Sequence, residues 1–98
     1  ACVGGFIRSL RVASMAQEAG LRITPHSSKS DANTAYMLHF AAVTPNVGPY
    51  QEYNAAPPGE MWWEAPPFEV RDGAIAVPDG PGLGVRYDPA LWREAEIL

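Results

Sequence analysis

Gly20-Leu21-Arg22-Ile23-Thr24-Pro25-His26 is the stretch that decides the fold, because it is a short extended run set between two helical patterns. Leu21 to Thr24 reads as a strand, and Pro25, which cannot donate to a ladder, ends it. Upstream, Phe6, Leu10, Ala13 and Ala16 recur at helical spacing, while Arg11, Ser14 and Glu18 mark a polar face. The pattern predicts a helix from about Phe6 to Ala19, with Gly20 where a left-handed C-terminal cap belongs. Downstream, a polar loop from His26 to Ser30 leads into a second helix, predicted over Asp31 to Val43. Ser30 is its expected N-cap, and Asp31 sits near the positive end of its dipole. The run Ala35 to Val43 is apolar nearly all round and should be well covered; Pro45 stops it.

A helix, one strand and another helix cannot make a sheet alone, because the strand's polar groups would lack partners on both edges. If Ala1-Cys2-Val3 ends an earlier strand, the order becomes strand–helix–strand–helix, two units of a parallel α/β sheet. A complete (β/α)-barrel takes about 250 residues, and this chain has 98, so neighbouring strands are expected from elsewhere. Its abrupt start at Ala1-Cys2-Val3-Gly4-Gly5 reads as if cut from something longer.

The rest of the chain is unlike the first part. Nine of the ten prolines and six of the nine glycines follow Thr44. Phe68-Glu69-Val70 and Ala74-Ile75-Ala76-Val77 read as a hairpin around Asp72-Gly73. Pro78 to Gly84 is a multi-turn segment leading into Val85-Arg86-Tyr87, and Pro89 to Ala95 can form terminal helical turns with Asp88 as N-cap. The expected division is 1–53, the last βα units of a barrel, and 54–98, an arm packing on another domain or subunit. Met61, Trp62, Trp63 and Phe68 are the expected contact surface of that arm.

A net charge of -4 argues against a nucleic-acid partner, since phosphate binding needs a basic face. No apolar run is long enough to cross a bilayer. One cysteine, Cys2, precludes an internal disulfide, and with no signal pattern at the N-terminus a cytoplasmic location is expected.

His26 is the main candidate for chemistry. Barrel active sites lie at the C-terminal strand ends, and a histidine two residues past Thr24 can act as a general acid or base. Ser27, Ser28 and Lys29 add hydroxyls and a cation beside a helix N-terminus, which suits a small anionic, hydroxylated substrate. The same loop is also readable as an ordinary surface loop. Glu52, flanked by Tyr50 and Tyr53, can curl back over the strand ends and hydrogen-bond a substrate oxygen, with a raised pKa as one expectation; an exposed loop glutamate is the alternative. His39 reads as a hydrogen-bonded core or interface residue, and Cys2 as a small buried one without an activating neighbour. Glu60, Glu64, Glu69 and Asp72 show no metal-ligand spacing.

Several segments, in order, resemble the end of an enolase-superfamily enzyme. They are Gly4-Gly5-Phe6 and its helix, Gly20-Leu21 through Pro25-His26, and Leu38-His39-Phe40-Ala41-Ala42 with Pro45-Asn46. Tyr50-Gln51-Glu52-Tyr53, Val70-Arg71-Asp72-Gly73 and the most diagnostic run, Val77-Pro78-Asp79-Gly80-Pro81-Gly82-Leu83-Gly84-Val85, follow. Within that superfamily, Pro25-His26-Ser27-Ser28 and Gly48-Pro49-Tyr50 resemble the mandelate-racemase subgroup of the mandelate racemase/muconate lactonizing family, and its acid-sugar dehydratases in particular.

The resemblance implies the last βα units of a modified TIM barrel, incomplete on its own, with an extended C-terminal arm. It implies that His26 is the histidine of the family's His–Asp dyad and that Glu52 helps bind the substrate carboxylate or the enolate formed from it. The implied reaction removes the proton α to a carboxylate, giving an enediolate held by Mg²⁺; in a dehydratase a protonated histidine then assists departure of the β-hydroxyl. The family's metal ligands, lysine-motif base, aspartate partner of the histidine and capping domain would all precede Ala1. The implied partners are therefore the remainder of the barrel and an N-terminal capping domain, in the same or a separate chain, and the expected state is a homo-oligomer. A racemase or epimerase of a 2-hydroxy acid is the rival on the same fold; lactonising relatives fit less well, and a non-catalytic truncated chain is the rival of another class.

Overall fold

The computed structural model describes residues 4–27, 33–54, 63–65 and 68–95. Two longer helices dominate these residues: α1, Phe6–Glu18, and α2, Asn33–Val43. The first helix follows the expected pattern. Ala13 is buried, whereas Arg11, Ser14 and Glu18 are exposed. It ends in a Schellman motif. Gly20, at φ 70°, turns the chain so that its N–H meets the Gln17 carbonyl and the Leu21 N–H meets the Ala16 carbonyl.

The second helix is nearly apolar all round, and its coverage matches for Thr34, Ala35, Met37, Leu38 and Phe40, all buried. Ala42 and Val43, at the helix end, are the exceptions, Val43 at 59% exposed. The expected N-cap Ser30 and first residue Asp31 lie outside the described residues, as do Ser28, Lys29 and the Ala1-Cys2-Val3 strand end. At the other end the Thr44 hydroxyl donates to the Phe40 carbonyl at 2.7 Å, and Pro45 follows. The two helices meet through Phe6, whose ring stands edge-on to Tyr36 at 5.0 Å and to Phe40 at 5.9 Å.

The expected strand from Leu21 to Thr24 is reduced to a single parallel bridge, Ile23 with Val47. The Ile23 N–H donates to the Asn46 carbonyl at 3.0 Å and the Gly48 N–H to the Ile23 carbonyl at 2.7 Å. Val47 is thus a second strand position that sequence reading missed. With Pro45 on one side and Pro49 on the other, it offers no run long enough to show period-two alternation. Asn46 fastens the junction, its amide donating to the carbonyls of Ala13 at 3.1 Å and Leu21 at 3.0 Å.

The Pro/Gly-rich segment folds back on α2. Ala35, Leu38 and Phe68 form a buried cluster, with Tyr53, Ile75 and Val85 packed against it. Phe68 is therefore covered by this chain's own helix, not by a second domain, which corrects the expectation for that residue; Met61 and Trp62 lie outside the described residues. The Asp72-Gly73 turn forms as expected, both residues at positive φ, and closes the Arg71–Ala74 bridge. The flanking strands do not extend beyond that bridge, because Phe68 and Ile75 are drawn into the helix-facing cluster.

A two-stranded antiparallel sheet pairs β1, Trp63–Ala65, with β2, Arg86–Tyr87; β1 was not expected. The last helix, α3, Pro89–Glu94, is capped as expected by Asp88, whose carboxylate accepts from the Ala90 N–H at 2.8 Å. No described helix is long and apolar enough to cross a membrane.

Candidate active site

The parallel bridge decides what faces what. Ile23 and Val47 are parallel bridge partners, Ile23 bonding to Asn46 and Gly48 on either side of Val47, so residues that follow them leave at the same end. Three residues after Ile23 comes His26; five after Val47 comes Glu52. The structure brings these two candidates together, with His26 Nδ1 2.7 Å from Glu52 Oε2.

The same carboxylate oxygen accepts the Ser27 N–H at 2.7 Å. On either side of Glu52, the Gln51 amide donates to the Pro25 carbonyl at 2.7 Å and the Asn54 amide to the Ser27 carbonyl at 2.7 Å. The side chains of Gln51, Glu52 and Asn54 therefore hold segment 25–27. The His26 side chain stays 78% exposed and that of Glu52 38%, whereas Ser27 is buried with both backbone polar groups bonded.

The Ser27 N–H bond, and after it the charge and hydrogen bond of the neighbouring imidazole, hold the Glu52 carboxyl below its ordinary range, against partial desolvation. This corrects the expectation of a raised pKa. A carboxylate accepting two donors on one oxygen is stabilised in its charged form.

Gln51 and Asn54 were missed in the sequence. The available signal was spacing: in an extended chain residues 52 and 54 face the same way, so an acid and an amide two apart can grip one peptide. His39, read as a hydrogen-bonded residue, meets the Leu83 carbonyl at 3.3 Å and ties α2 to the Pro78–Gly84 turns. Glu69 pairs with Arg71 at 2.7 Å on the surface. Among the described residues, no group of three or more His, Cys, Asp or Glu could hold a metal ion.

A helix-flanked parallel strand pair with a histidine and a carboxylate at its C-terminal end is the arrangement of a TIM-barrel-type enzyme portion. Residues 1–91 match the family model "Enolase C-terminal domain-like", and the chain belongs to that family. It is 33% identical over 93 residues to a D-galactarolactone cycloisomerase from Agrobacterium fabrum, covering 87% of this chain and 25% of that protein. It is 29% identical over 93 residues to a D-gluconate dehydratase from Thermoproteus tenax, covering 94% of this chain and 19% of the relative. A D-galactonate dehydratase family member from Streptomyces bingchenggensis is 36% identical over 92 residues, covering 90% and 22%. The fold is shared with a crystal structure from Roseobacter denitrificans, provisionally named a racemase, at TM-score 0.84 and 35% identity, covering 95% of this chain and 27% of that one. The chain thus spans 25% or less of the length of these curated relatives.

Proposed function

We propose that this chain supplies the His26 proton-transfer face of a Mg²⁺-dependent acid-sugar dehydratase of the enolase fold. The observation that carries the reading is a histidine beyond a parallel strand pair, exposed, with Nδ1 on an ionised carboxylate. Two relatives are named as sugar-acid dehydratases, which supports the substrate class. In this reading His26 donates a proton to the departing β-hydroxyl, so the C–O bond breaks and water leaves. The α-proton goes to a base on another part of the barrel.

Mg²⁺ would stabilise charge developing on the substrate carboxylate; its acidic ligands would have to come from outside the described residues. Ser28 and Lys29 are proposed to line the anionic substrate's approach beside Ser27. Exposed apolar side chains, among them Ile7 at 68%, Met15 at 69% and Trp92 at 73%, support packing against further parts of a barrel, a capping domain or another subunit.

The second reading is racemisation or epimerisation of a 2-hydroxy acid, favoured by the likeness to the provisionally named racemase. The test is His26→Asn in the full-length protein, following turnover of acid sugars and solvent-deuterium exchange at the α-carbon. General acid–base catalysis contributes about 10²–10⁴-fold, and a loss of that order is expected. Product without loss of water would select the racemase; near-normal turnover in the variant would overturn both readings.

A further inference from the structure

We infer that Tyr50 is a specificity-determining residue of the same site: its phenol lies on the substrate side of the segment that carries Glu52 and hydrogen-bonds a hydroxyl group of the acid sugar. The inference rests on the proposed function and extends it to a residue that so far has no role.

Exposure alternates along the segment. Tyr50, Glu52 and Asn54 are exposed, whereas Gln51 and Tyr53 are half-buried, the period-two pattern of an extended chain with one side covered. The covered side is the helix side, because Tyr53 packs on the Ala35–Leu38–Phe68 cluster and its hydroxyl donates to the Phe68 carbonyl. In a barrel the helices lie outside the strands, so the side with Tyr50, Glu52 and Asn54 faces the interior and its mouth. Tyr50 stands two residues before Glu52, about 6–7 Å deeper along the strand direction. One step further in is Gly48, where a Cβ would meet Thr24 Oγ1 at 2.5 Å. Thr24 thus closes the space below, and between Gly48 and Asn54 the Tyr50 side chain is the deepest on this side.

The residue type suits a ligand better than it suits filling. Barrel interiors are filled chiefly by Val, Ile and Leu, whereas a buried tyrosine needs a partner for its hydroxyl. Tyr53 has one in the Phe68 carbonyl. Tyr50 is 84% exposed, and among the described residues its hydroxyl has none. A phenol hydroxyl both donates and accepts, so it matches a sugar hydroxyl and leaves the substrate carboxylate to other groups.

The test uses the full-length protein and Tyr50→Phe, with five- and six-carbon aldonates and aldarates. For each compound turned over, the monodeoxy analogues beyond the β-carbon are assayed too. In the unsubstituted protein one analogue should react with kcat/KM about 10–100-fold below its parent. Tyr50→Phe should lower kcat/KM for the parent by the same order and leave parent and that analogue nearly equal. No loss, or a loss uniform over the parent and every analogue, would overturn the inference. A second arm maps nitration by tetranitromethane: Tyr50 should react more than Tyr53, and a compound of the panel should protect it. Tyr50 spared like Tyr53, or protected by no compound, would overturn the inference as well. If nothing in the panel is turned over, the dehydratase reading falls, while nitration and its protection still decide the role of Tyr50.

Discussion

Ile23 and Val47 lie side by side in parallel, and this single bridge carries His26 and Glu52 to a common end. It depends on close approach of the backbone. At Gly48 an added Cβ would stand 2.5 Å from Thr24 Oγ1 and 3.6 Å from the Ile23 carbonyl.

Gly48→Ala is therefore expected to force Thr24 aside and loosen the bridge, at about 1–3 kcal/mol for overpacking. The contact is with a side chain, so Gly48→Ala combined with Thr24→Ala should regain most of the loss. Denaturant unfolding of the full-length protein measures both; equal damage in single and double variants would place the strain elsewhere.

Asn46→Asp should be more damaging than its size suggests. The native amide donates to the Ala13 and Leu21 carbonyls, and a carboxylate there would present oxygen to oxygen. The expected cost is about 1–3 kcal/mol for the lost and frustrated bonds, smaller at acidic pH, where a protonated Asp can donate once. Thermal unfolding at two pH values checks the direction.

Phe68→Ala should open a cavity beside Ala35 and Leu38, while the Tyr53 hydroxyl keeps its acceptor, the main-chain carbonyl of residue 68. Truncating a buried Phe costs about 3–5 kcal/mol. Phe68 is 9% exposed, which puts the expectation near the lower end. Unchanged stability would mean that the arm does not pack on α2.

The Glu52 carboxyl is held below its ordinary range chiefly by the Ser27 N–H. A depressed folded-state value contributes stability that is fully present above the ordinary glutamate pKa of about 4.3 and is lost as pH falls through the lower, folded value. Glu52→Gln removes the titrating group, so this part of the acid dependence should disappear. Comparing acid unfolding of the two proteins, or hydrogen exchange at the Ser27 amide, tests it.

Local sequence determined the two long helices, the Gly20 cap, the Asp72-Gly73 turn and the Asp88 cap, because each depends on neighbours within about a turn of chain. It also placed His26 and Glu52 as the residues to watch, from residue type and their positions after regular structure. Tertiary structure alone decided the rest. Val47 sits in a three-residue stretch between prolines and becomes a strand position only when Ile23 supplies the hydrogen-bonding edge for its neighbours Asn46 and Gly48. Phe68 looked like surface for a partner until α2 covered it. The lowering of the Glu52 pKa owes most to one N–H, that of Ser27, a donor that every non-proline residue carries and that only folding brings within reach.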